Sequence, residues 1–305
     1  MYHTPVMITE SIHGLAIKPS GLYVDVTYGG GGHSAAILDK LGQDGRLLAF
    51  DQDMDALANL PDDNRLTFIN QNFSYLTNFL RLYKALPVDG ILADLGVSSH
   101  QLDAAERGFS TRSESVLDLR MNRKAELTAR QVVNQYTQEE LTRVFRDFGE
   151  LPNSWRMALT LVEARQANEI VTTGDLKQSL LKFARKGQEN KFYARVFQAL
   201  RIEVNGELNA LKSMLEQSIK CIKPGGRLVV ISYHSLEDRL VKHFMRSGNF
   251  GDTQEKDFFG NVLSPFRLID RKAIVPTEDE IQNNPRARSA RLRIAERTDY
   301  EHIEK

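Results

Sequence analysis

Cysteine is almost absent. Cys221 is the only one, so no intrachain disulfide can form and a reducing compartment is expected. None of the seven histidines sits in an H-E-x-x-H motif and no C-x-x-C exists, so no zinc or other metal site is expected. Charge of one sign is not in excess, because 40 Lys and Arg balance 40 Asp and Glu. A whole-protein basic field therefore cannot attract a nucleic acid, and any attraction must come from local clusters. Long apolar runs are missing too: no stretch approaches about 18 apolar residues. Met1 to Ile12 lacks a basic segment followed by an apolar one. No membrane partner is expected, and the bulk features read as a soluble cytoplasmic protein.

What is present is ordinary globular material, 41% hydrophobic and 26% charged over 305 residues. From residue 20 to 94, short apolar runs alternate with helical segments. Leu22 to Val26, Arg46 to Phe50, Leu66 to Asn70 and Gly90 to Ala93 read as strands. Ser34 to Leu41, Met54 to Leu60 and Tyr75 to Leu86 read as the helices between them. Such alternation with short connections implies right-handed parallel βαβ units, a Rossmann-like α/β fold.

Residues 105–196 offer helix formers and no convincing strand, with plausible caps at Thr137 and Thr173. They read as an all-helical insertion, expected to recognise the substrate, that splits the parent domain into 1–104 and 197–305. Apolar residues at Phe192, Val196, Leu200, Val204, Leu208, Leu211, Leu215, Ile219 and Ile222 predict one long amphipathic helix closing the insertion. The Lys223-Pro224-Gly225-Gly226 turn should stop it. Arg227 to Tyr233 then reads as a strand and Ser235 to Arg246 as a helix. Phe266 to Val275 and Ala290 to Ala295 are two further extended runs, so the sheet resumes there.

Four consecutive glycines, Gly29 to Gly32, lie between the first strand and its helix. Glycines admit a ligand close to the backbone, and a helix start presents N–H groups to an anion. The run does not make GxGxxG, since the sixth position from Gly29 is Ser34, which weakens a dinucleotide reading. Asp51 ends the second strand, nineteen residues after Gly32, where an acid commonly accepts hydrogen bonds from ribose hydroxyls. It also reads as a helix cap. Asp94 ends the fourth strand beside the crevice outside the carboxyl ends, and it reads equally as cap, cofactor ligand or proton acceptor. Tyr233 and His234 follow the fifth strand near the same crevice. Two clusters are locally basic: six cations between Lys177 and Arg195 against Glu189, and five arginines between Arg286 and Arg297 against Glu296. Both suit phosphate contacts.

These strings closely resemble the bacterial RsmH (MraW) family, the small-subunit ribosomal RNA cytosine-N4 methyltransferases. The resemblance runs over nearly the whole chain. It is carried by His3 to Met7, Asp25 to Ser34, Asp51, Asp94 to Ser99, Gln101 to Asp103, Glu106 to Ser110, Phe197 to Ile202, Ser232 to Arg239 and Asn283 to Ser289. Gly30, where many members have arginine, and His100, where the family often has proline, are the visible departures.

The resemblance implies a class I methyltransferase sheet of seven mostly parallel strands with an inserted helical domain. It implies S-adenosylmethionine as cofactor, bound by Gly31, Gly32, His33, Asp51, Phe73, Asp94 and Gln101. It further implies N4-methylation of a cytidine in the decoding (P-site) region of 16S rRNA, with the small subunit as partner. Asp94 is the expected catalytic group, although Asp94-Leu95-Gly96-Val97 lacks the prolines and aromatic of the Asp/Asn-Pro-Pro-aromatic motif. Tyr233, His234, Arg286 and Arg288 are the expected substrate contacts. A homodimer stays open. Two rivals remain at this level, a nicotinamide-dependent oxidoreductase and a non-catalytic ribosome-assembly factor.

Overall fold

The computed structural model describes residues 5–260 and 262–300. Two stretches of the chain form separate units: Met1–Gly96 with Leu208–Lys305, and Val97–Glu207. His3 and Thr4, which carry part of the family resemblance, lie outside the described residues.

The first unit is built on one sheet. Its strands are β1 (Leu22–Asp25), β2 (Arg46–Phe50), β3 (Leu66–Ile69), β4 (Val88–Asp94), β5 (Ile222–Ser232), β8 (Phe266–Leu268) and β9 (Arg291–Arg297). A two-stranded ribbon of β6 (Glu255–Lys256) and β7 (Val262–Leu263) precedes β8. The order in the sheet is β3-β2-β1-β4-β5-β9-β8. β1 to β5 are parallel, whereas β9 runs antiparallel to β5 and to β8. This is the α/β, Rossmann-like architecture expected from the alternating pattern.

Successive residues of the central strands bury on opposite faces, as strand geometry requires. Ile91, Leu228 and Val230 pack with Leu80 of α3 (Leu76–Leu82), Leu211 of α10 (Glu207–Cys221) and Phe244 of α11 (Ser235–Ser247). Leu92, Val229 and Ile231 pack with Leu15 of α1 (Ile8–Leu15) and Ile37 of α2 (Gly32–Leu38). Helices on both faces explain why β4 is buried at every position but its last. Each such aliphatic side chain contributes roughly 1.5–3 kcal/mol by leaving water.

The second unit has its own core. Leu117, Val132 of α5 (Ala129–Gln135), Leu141 of α6 (Gln138–Arg143), Leu161 of α7 (Ser154–Ala167), Leu176 of α8 (Thr173–Leu180) and Val196 of α9 (Glu189–Asn205) meet there. A short α4 (Ser99–Asp103) opens the unit. Among its described residues the only extended pairing is one isolated bridge, Val116 to Thr172. The seams lie outward of residues 105 and 196, because Val97, Leu102, Ala199, Leu200 and Val204 belong to this core. Capping boxes at Thr128, Thr137 and Thr172 start three of the helices. Thr172, not Thr173, caps α8, because its hydroxyl reaches the Asp175 amide.

The expected single long helix is two. α9 ends at Asn205, Gly206 takes φ 60° as its left-handed cap, and α10 begins at Glu207. The apolar spacing continues across the break, so only the glycine marks it. Pairing in β5 already begins at Ile222, and the register against β4 shifts where the 223–226 turn bulges out. Phe266 to Val275 is strand only to Leu268, followed by a single bridge from Ile274 to Leu292. Among the described residues, no helix is long and apolar enough to cross a membrane.

Candidate active site

Strand order reverses between β1 and β4, and open α/β sheets bind ligands in the crevice at the carboxyl ends there. β1 ends at Asp25, β2 is followed by Asp51, and β4 ends at Asp94. Because β9 is antiparallel, its first residue, Arg291, pairs with Ser232 at the same edge. The segment just before it, with Arg286 and Arg288 exposed on either side of buried Ala287, therefore leads into this edge.

Asp25 was not singled out from the sequence, yet it organises the loop. It is fully buried and accepts the Thr27 amide at 3.0 Å and the Ser34 hydroxyl at 2.7 Å. Burial pushes its carboxyl up, against His33 and the hydrogen bonds that lower it. Tyr28 donates its amide to Phe50 and its hydroxyl to the Asn59 carbonyl at 2.7 Å. Gly31 donates its amide to the Tyr28 carbonyl and holds φ 79°, which costs a glycine least. A Cβ on Gly31 would lie 2.5 Å from the Tyr28 hydroxyl, and one on Gly32 would lie 2.2 Å from Pro5.

Asp51 braces this loop rather than simply facing a ligand. Its Oδ2 accepts the Gly29 amide at 2.7 Å and its Oδ1 the Asp53 amide at 2.8 Å. A carboxylate has about four acceptor positions, so two N–H partners leave room for ligand hydroxyls. Burial raises its pKa to about 6, with the charges of Asp53 and Asp25 adding to the rise. Phe73 opens the turn after β3, capped by Asn72, and packs against the sheet core.

Asp94 has a defined environment. Its amide donates to the Thr27 hydroxyl at 2.6 Å, and its Oδ1 accepts the Tyr233 hydroxyl at 2.8 Å. Its Oδ2 lies 3.6 Å from His33 Nδ1. His33 Nε2 is 3.0 Å from the Val6 carbonyl, which can only accept, so the ring's Nε2 carries a proton. Burial pushes Asp94 up to about 6, opposed by His33 and Tyr233 and reinforced by Asp25 and Glu237. Its side chain still keeps 23% of its surface, so a ligand can reach it.

His234 is the N-cap of α11, its Nδ1 accepting the Glu237 amide while buried Glu237 accepts the amides of Tyr233 and His234. Glu237 was legible only as part of a charged string. The structure thus brings Gly31, Gly32, His33, Asp51, Asp94 and Tyr233 to one edge. Gln101 belongs to the second unit, where it closes a capping box with Ser98.

The basic clusters separate by burial. Arg293 is buried on Asp238, and Arg297 on the carbonyls of Ile219, Pro265, Thr298 and Tyr300. In the second unit Lys177 and Arg195 hold the carbonyls of Thr111 and Gly149, while Lys182, Arg185, Lys186 and Lys191 are exposed.

The buried carboxylates set a pH dependence. Asp51 and Asp94 at about 6 lie above the ordinary ~3.9 of an unfolded chain, so the folded state holds their protons more tightly. Their stabilising effect is full below about pH 4 and is lost as pH rises through about 6. The ligand-free protein should therefore melt a few degrees higher at about pH 5.5 than at about pH 7.5. Asp51→Asn should narrow that difference. Equal midpoints at the two pH values in calorimetry would contradict the assignment.

The sequence profile of the MraW methylase family matches residues 1–298. Ribosomal RNA small subunit methyltransferase H of Parabacteroides distasonis is 57% identical over 297 residues, covering 97% of both chains. The protein of the same name from Flavobacterium johnsoniae is 55% identical over 296 residues, covering 97% of this chain and 98% of that one. That of Bacteroides thetaiotaomicron is 54% identical, covering 97% of both.

Proposed function

Since this chain belongs to the MraW methylase family, we propose that it transfers a methyl group from S-adenosylmethionine to the N4 amine of a cytidine in the decoding (P-site) region of 16S rRNA. The observation that carries this reading is Asp94, partly exposed at the strand-order reversal and held between Thr27, Tyr233 and His33. The resemblance supplies the base, the position on it and the decoding region. The relatives' names supply the small subunit.

The residues present fit the donor. Asp25, Asp51 and Asp94 crowd adjacent strand ends, which suits a ligand with a sulfonium, an ammonium and ribose hydroxyls. The same crowd would repel the pyrophosphate of a nicotinamide dinucleotide, which counts against the oxidoreductase reading. When bound, the donor supplies a methyl group already activated by its sulfonium. The chain must then align the amine and take its proton. The cytosine amine is conjugated with the ring and is a weak nucleophile. Asp94 Oδ2 accepting a hydrogen bond from that amine would favour a pyramidal nitrogen and receive the proton as the N–C bond forms and the methyl's C–S bond breaks. Asp51 would hold ribose hydroxyls with its remaining acceptor positions. The resemblance adds Phe73 and Gln101 to the residues assigned to the donor.

The helical unit is assigned to substrate recognition. Lys182, Arg185, Lys186 and Lys191 would meet phosphates there, as would Arg286 and Arg288 at the sheet edge. A base must be unstacked to reach the crevice.

Labelled S-adenosylmethionine, incubated with small subunits lacking their cytosine-N4 methylation, should place label in N4-methylcytidine after digestion to nucleosides. Donor binding with label in another nucleoside would remove the cytidine assignment. Donor binding with no label at all would favour the assembly-factor reading.

A further inference from the structure

Tyr233 is anchored by its backbone amide, the packing of its ring and its hydroxyl. Its backbone amide donates to Glu237 Oε2 at 2.9 Å, and Glu237 is itself buried. The ring packs against the core that holds Met7, Ile231 and Ala290. It also lies over Gly96, at φ 104°, where an added Cβ would sit 3.4 Å from the ring. A ring so placed has little freedom to stack on an incoming base. Its hydroxyl instead meets Asp94 Oδ1 at 2.8 Å.

We propose that Tyr233 is a positioning residue: its hydroxyl pins Oδ1 of Asp94, so that Oδ2 is the oxygen left to receive the acceptor amine's proton. This rests on the role given to Asp94 above. A hydrogen bond to an ionised acceptor is roughly twice as strong as a neutral one, so the phenol favours the carboxylate form. The phenol keeps its own proton, since burial and then the neighbouring Asp94 raise its pKa well above the ordinary value. Four groups face the Asp94 carboxyl: His33 from α2, Asp25 from the end of β1, Glu237 from α11 and Tyr233. Asp25 and Glu237 favour its protonation, whereas His33 and Tyr233 oppose it. Deleting the phenol hydroxyl removes one of the two groups that keep the carboxyl ionised.

Tyr233→Phe retains the ring and its packing and loses only the donor. In the wild type, affinity for S-adenosylmethionine measured by calorimetry should rise with pH through a midpoint near 6. In Tyr233→Phe that midpoint should move up by about one pH unit. Single-turnover rate near pH 6.5 should fall several-fold and recover near pH 8.5, with KM for the subunit unchanged. The infrared carboxyl band that disappears in Asp94→Asn should persist to the same higher pH in Tyr233→Phe. In the Asp94→Asn background, adding Tyr233→Phe should change nothing further. An unchanged midpoint in Tyr233→Phe, with Asp94→Asn clearly impaired, overturns the positioning role and leaves Asp94 in place. An Asp94→Asn variant equal to wild type in affinity and rate overturns the role of Asp94 itself.

Discussion

Asp94→Ala is expected to lower turnover on small subunits by about a hundred- to ten-thousand-fold, the range a lost proton acceptor gives. The backbone should survive the change, because the Asp94 amide is held by the Thr27 hydroxyl independently of the side chain. β4 is also paired with β1 as far as Leu92 and with β5 through Asp94 itself. Affinity for the cationic donor should fall as well, since one of three crowded carboxylates is gone. The loss in kcat should exceed the loss in binding if the main role is at the transition state. Asp94→Asn separates charge from shape: it keeps an acceptor for Tyr233 but cannot take a proton at neutral pH. Single-turnover rates with saturating donor make the comparison. Full activity in the asparagine variant would remove Asp94 as proton acceptor, and full activity in the alanine variant would remove it from the reaction altogether.

The parallel half of the sheet was legible because each of its elements is local. Alternation and short connections specify β1 to β4, with an Asp ending β1 and β4 and another following β2, without reference to distant parts of the chain. The break at Gly206 was not legible from spacing, because the apolar residues on either side keep a helical period through it. The β6–β7 ribbon escaped because two-residue strands carry too few residues for a period to register, and α1 precedes β1, outside the strand–helix alternation that located α2 and α3.

Within the candidate site, identities were readable and partnerships were not. Asp51 reads as a ribose acceptor or a cap, and in the fold its carboxylate accepts both the Gly29 and the Asp53 amides. Asp25 and Glu237 look like ordinary charged residues until burial shows that each organises backbone amides. The arginine cluster shows the limit of charge counting. Arg293 and Arg297 are buried on Asp238 and on carbonyls, whereas Arg286, Arg288 and Arg291 lie at the surface. Only tertiary contact distinguishes a cation that staples the fold from one that can meet a phosphate.

Gly31→Ala should cost about ten- to a hundred-fold in donor affinity, although it adds a single methyl group. At φ 79° an L-residue pays roughly 1–2 kcal/mol for its Cβ. That Cβ would also stand 2.5 Å from the Tyr28 hydroxyl and 2.7 Å from its ring carbon. Tyr28 cannot readily yield. It is buried, its hydroxyl holds the Asn59 carbonyl, and its ring packs edge-on against Phe68 at 5.4 Å. Releasing that buried hydrogen bond costs about 1–3 kcal/mol. The loop should therefore move instead, taking with it the Gly31-to-Tyr28 and Gly29-to-Asp51 hydrogen bonds. A shift of about 1 Å there displaces Asp51 and the start of α2, which carries His33, and such misplacements are costly in an aligned site. Gly30 is the control, because it is exposed and outside the left-handed region, so Gly30→Ala should bind the donor as wild type does. The second unit, with a core of its own, should fold normally in both variants. Equal donor affinities for Gly31→Ala and Gly30→Ala by calorimetry would show that the loop does not shape the donor site.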